Sequence, residues 1–119
     1  MQIRTIIICA NLQEKTLKKL LLLALLLPIS SLAEEYRLVI KDHQFQPAEI
    51  TIPSGTKVKL LVENQDSTPE EFESYSLNRE KIVAGNSKVT LFIGPLSPGK
   101  YPFFGEFNPK TAQGIIIVK

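Results

Sequence analysis

From Tyr36 onward, apolar residues recur at every second position in short runs, and turn-forming residues separate the runs. Val58, Leu60 and Val62 share one side of segment 57–63, and segment 88–93 alternates in the same way. A period of two puts such residues on one face of a strand. Segment 49–52 alternates ahead of the turn Pro53-Ser54-Gly55, segment 36–40 is rich in β-forming residues, 101–104 is aromatic, and 114–118 is a run of apolar residues. Segments 72–77 and 81–84 complete the set. No window after the first 33 residues keeps a helical period for three turns. Short strands with turn signals every eight to twelve residues or so predict an all-β sandwich or barrel of seven to eight strands.

The first part of the chain reads differently. Lys15, Lys18 and Lys19 precede an apolar run from Leu20 to Leu27, Pro28 breaks it, and small residues stand at Ser31 and Ala33. A basic region, an apolar stretch and a small-x-small site predict a secretory signal peptide, cleaved after Ala33. The run falls short of the roughly twenty residues that a membrane-spanning helix needs. Residues 1–33 are therefore expected to be a leader and 34–119 the mature domain.

Removing the leader takes Arg4, three lysines and Glu14, leaving ten basic and eleven acidic residues and a net charge of −1. The basic balance of the whole chain belongs to its leader, which argues against nucleic acid as a partner and against contact with a membrane except through a partner. Cys9 leaves as well, so the mature domain has no thiol and one imidazole, His43. That inventory excludes a cysteine nucleophile. No motif places a serine against His43, so a hydrolytic triad is unsupported. The glycines are isolated turn residues that build no phosphate loop.

Three pieces of punctuation narrow the sandwich: Phe45-Gln46-Pro47 ahead of a strand, Asn64 at the end of the third strand, and Pro98-Gly99-Lys100-Tyr101 leading into the aromatic strand. In this order they resemble the cupredoxin-like Greek-key β-sandwich of the blue copper proteins, over nearly all of residues 36–119. The resemblance implies a copper site made of a His, a Cys, a second His and an axial Met or Gln. Those positions fall here at Glu70, Gly105, Asn108 and near Gln113. A blue centre needs a thiolate and two imidazoles, so the chain is not expected to be a type 1 copper electron-transfer protein.

Acidic residues stand in their place. Glu70, Glu71 and Glu73 lie within four positions, Glu106 follows the aromatic strand, and His43 lies in the first loop, which the fold's topology would bring to the same end. Carboxylates with one imidazole suit iron, manganese, Cu(II) or Zn(II). Period two puts Glu70 with Phe72 on one face and Glu71 with Glu73 on the other. His43, Glu70, Glu71, Glu73 and Glu106 are the candidate metal ligands.

Segments 68–74 and 104–114 are also similar to the cupredoxin-like proteins of bacterial iron uptake, which work with an FTR1-type iron permease or other periplasmic iron-uptake components. In the larger of these a Glu-aromatic-Glu is a proposed metal site, matched here by Glu71-Phe72-Glu73, whereas its cysteines fall at or near Phe45 and Gly105. The resemblance implies a periplasmic accessory that binds iron or copper and delivers Fe(II) or helps to oxidise it. A copper-dependent ferroxidase and a metal-free interaction domain, docking a membrane partner through aromatics in 103–107, are the other expectations.

Overall fold

The computed structural model describes residues 33–119, which form one unit, Ala33–Lys119. The leader expected over 1–33 lies outside the described residues except for Ala33. Among the described residues no helix is long and apolar enough to cross a membrane.

Nine strands form two sheets: β1 (Glu35–Lys41), β2 (Gln44–Gln46), β3 (Glu49–Ile52), β4 (Val58–Asn64), β5 (Glu70–Ser74), β6 (Arg79–Val83), β7 (Lys88–Ile93), β8 (Gly99–Gly105) and β9 (Gln113–Val118). One sheet has the order β2-β1-β4-β7 and the other β3-β9-β8-β5-β6. The all-β expectation holds, with one strand more than the pattern predicted. The extra strand is β2, whose three residues are too few to carry a period.

The alternation seen in the sequence is the burial pattern of the sheets. Val58, Leu60, Val62 and Asn64 of β4 are buried, while Lys59, Leu61 and Glu63 between them are half-exposed. Leu38, Ile40, Ile52, Ile93, Ile116 and Val118 join them between the sheets. Three aromatic rings tie the sheets together. Phe45 of β2 lies edge-on to Phe103 of β8 at 5.0 Å and to Phe72 of β5 at 6.2 Å, and Phe72 stacks on Phe103 at 5.1 Å. Each fully buried ring removes apolar area worth about 1.5–3 kcal/mol from water.

The β1–β2 connection is a tight turn in which Asp42 (φ 54°) and His43 (φ 57°) are both left-handed. That conformation costs a residue with a Cβ about 1–2 kcal/mol. The carboxylate of Asp66 offsets it by accepting the backbone N–H of Asp42 at 2.8 Å and of His43 at 3.0 Å. Asp66 is held in turn by buried Asn64, whose Oδ1 accepts the Asp66 N–H while its Nδ2 donates to the carbonyls of Thr68 and Val83. Asn64 thereby joins the ends of β4, β6 and the loop before β5, which sets where β5 begins.

Candidate functional site

β5 delivers its glutamates to opposite faces. Glu70 and Phe72 point between the sheets and are 1% and 0% exposed. Glu71 and Glu73 point outward. Antiparallel pairing sets Glu73 directly opposite Glu80 of β6 and Glu71 opposite Ile82. On the other side β5 pairs with β8, Phe72 opposite Gly105 and Glu73 opposite Phe104. One step further the backbone N–H of Glu106 donates to the Glu71 carbonyl at 2.9 Å. Carboxylates from two neighbouring strands and from the residue after a third thus share one outer face.

Glu71, Glu73 and Glu80 each offer an oxygen, and these oxygens lie within 4.8 Å of one another. A cation that holds oxygens at about 2.3–2.6 Å places two of them at most about 5 Å apart, so the spread suits one ion. The three carboxylates differ in exposure: Glu71 is 8% exposed, Glu73 is half-buried and Glu80 is open to solvent. Ion pairs among the described residues join Arg37 to Glu63, His43 to Asp66 and Lys59 to Glu35, none of them in this cluster.

Like charges this close hold a proton. The Glu71 carboxyl is pushed up to about 7, first by its hydrogen bond with Glu80, then by burial, then by the charges of Glu80, Glu73 and Glu106. Burial and the charges of Glu80 and Glu106 also raise Glu73, against a hydrogen bond from Glu71 that lowers it. Of these carboxyls Glu71 is the one that keeps its proton toward neutral pH. A divalent ion would take the place of that proton, because metal-bound carboxylates must be ionised.

The predicted ligands therefore separate. Glu71 and Glu73 come together, with Glu106 near enough for its charge to act on both. Glu70 is turned inward: its Oε1 accepts the Phe107 N–H at 2.9 Å and the Glu71 N–H at 3.0 Å, and its Oε2 accepts Asn108 Nδ2 at 2.6 Å. His43 lies outside the cluster, its Nδ1 3.6 Å from Asp66. Glu80 is the member that the sequence reading missed. The only available signal was the hairpin itself: a strand starting at Arg79 rather than at residue 81 brings Glu80 opposite Glu73.

A model of the cupredoxin-like domain family matches residues 7–118. The chain belongs to that family. An uncharacterized protein of Rickettsia prowazekii (strain Madrid E) is 49% identical over 84 residues, 71% of this chain and 67% of that protein. Solved structures agree in fold at low identity. Auracyanin A, a "blue" copper protein from Chloroflexus aurantiacus, is 13% identical with a TM-score of 0.64, over 74% of this chain and 100% of its own. The metal binding domain of the Cu(I) exporting P-type ATPase CopA of Streptococcus pneumoniae D39 is 14% identical with a TM-score of 0.61, over 71% and 84%. Amicyanin from Paracoccus versutus is 16% identical with a TM-score of 0.58, over 76% and 86%.

A cupredoxin-like fold implies copper, and the positions matched to its ligands do not fit a blue centre. They carry a carboxylate, a glycine and an amide, Glu70, Gly105 and Asn108, and Glu70 and Asn108 are hydrogen-bonded to each other. Gln113 faces outward with its Nε2 on the Pro109 carbonyl at 3.0 Å. Among the described residues there is no Cys, and their one imidazole, His43, lies against Asp66.

Proposed function

We propose that this cupredoxin-like protein is an exported metal-binding accessory, which carries iron or copper as cargo on the outer face of its five-stranded sheet and hands it to a membrane permease of an iron-uptake system. The observation that carries the reading is the convergence of Glu71, Glu73 and Glu80 within 4.8 Å, with Glu106 adding a fourth negative charge. The similarity of segments 68–74 and 104–114 to iron-uptake cupredoxins supports iron as the cargo, and the copper proteins among its structural neighbours support copper.

An all-oxygen donor set favours hard ions, and Fe(III) gains more from anionic oxygen than Fe(II) does. Such a face makes bound iron easier to oxidise but supplies no electron acceptor. Delivery is therefore the role we assign to this chain, with oxidation left to a partner that accepts the electron. Export to the periplasm belongs to the same reading and rests on the leader pattern.

Calorimetric titration of the protein with Mn(II), Cu(II) and anaerobic Fe(II) tests this. Saturable binding is expected at a dissociation constant on the order of micromolar, as for open carboxylate sites of similar charge. It should disappear in Glu71→Gln and Glu80→Gln and persist in His43→Gly. Absence of saturable heat with all three ions overturns the metal reading. The outer face would then be read as a docking surface, since Tyr75 (78% exposed) packs on Phe104, and Ile82 (57% exposed) stands opposite Glu71 on the same face. Phe103 has no part in such a surface, because it is buried in the core.

A further inference from the structure

The interior contains a second arrangement, independent of the outer-face cluster. Glu70 is 1% exposed, yet its carboxylate accepts three hydrogen bonds, two of them from the turn that follows β8. Burying a carboxylate is unfavourable unless donors replace its water. The backbone opposite is stripped to make room: a Cβ added at Gly105 would lie 2.6 Å from Glu70 Cδ and 2.7 Å from Ala112 Cβ. Real Cβ atoms do not approach so closely, and neither neighbour can move away, because Glu70 is held by its donors and Ala112 is fully buried.

We infer that the Glu70 carboxylate fills the volume where the cupredoxin fold houses a metal, fastening β5 to the turn at Glu106–Asn108, and that residue 105 is glycine because Glu70 is there. The plug has three parts. Glu70 supplies the acceptors, Asn108 and the Phe107 amide supply the donors, and Gly105 supplies the space. The interior locus is closed to metal by construction, and any ion that the protein binds is bound elsewhere.

A stability cycle tests the plug. Gly105→Ala should lower the melting temperature strongly in the native background and clearly less in Glu70→Ala, the residual loss coming from Ala112. Formate, which offers the missing carboxylate, should raise the melting temperature of Glu70→Ala and leave the native protein unchanged. Equal losses from Gly105→Ala with and without Glu70, or no response to formate, would overturn the inference. If Glu70→Ala does not fold, amide exchange decides: the Phe107 N–H should exchange at least about tenfold faster in Glu70→Gln, the ratio expected when one buried hydrogen bond is weakened. Unchanged exchange would likewise overturn it.

Discussion

Glu73 stands directly across the β5–β6 ladder from Glu80. Like charges in that position oppose sheet pairing, and β6 is an edge strand with no further neighbour to hold it. The arrangement weakens the sheet where the candidate ligands meet.

Glu80→Lys should relieve that repulsion. An opposite charge facing Glu73 is expected to raise the melting temperature by a few degrees and to abolish metal binding in the same protein. Differential scanning calorimetry and a Mn(II) titration on one preparation would check both. A variant that is stabilised and still binds the ion would remove Glu80 from the site.

The raised Glu71 carboxyl sets a pH dependence. Its folded value, about 7, lies above its ordinary 4.5, so between these values the folded state holds more protons than the unfolded one. Stability from this group is complete below about pH 4.5 and lost as pH rises through about 7. The melting temperature should therefore fall between pH 5 and pH 8, and Glu71→Gln should flatten that fall. Metal binding should show the matching trend, weakening by up to about tenfold for each pH unit below 7 as one proton is displaced.

Asp66 has the opposite sign. The His43 N–H, and after it the Asp42 N–H, holds its carboxyl below the usual range despite partial burial. Its contribution is present above that range and is lost only in acid, as pH falls through the lowered value. Asp66→Ala releases two amides of a left-handed turn and should cost about 1–2 kcal/mol in urea denaturation, with no change in metal affinity.

Phe72→Ala should be the most damaging of these substitutions. It removes a fully buried ring that touches both other core aromatics, and such truncations cost about 3–5 kcal/mol. Loss of cooperative unfolding, followed by near-ultraviolet circular dichroism and urea, is the check.

The strands were legible wherever one face is buried, because burial on one side writes a period of two into the sequence. β4 and β7 are the clearest cases, and the same rule separated Glu70 from Glu71 and Glu73. What could not be read is non-local. Glu80 reaches the cluster through the hairpin register, which depends on Asn78 taking a left-handed conformation. His43 was expected at the site and is instead turned toward Asp66, a pairing between residues 23 positions apart. The closed interior around Glu70 follows from a contact with a turn 37 residues away, which no local pattern announces.

β3 runs parallel to β9, Ile50 beside Ile116 and Ile52 beside Val118. β9 thus lies inside its sheet, between β3 and β8, although it is the last of the nine strands in sequence. The five-stranded sheet closes only when strands from early and late in this domain meet, and contacts of such wide sequence separation form slowly. Loss of β9 would take out an inner strand rather than a margin and leave β3 without a neighbour in its sheet.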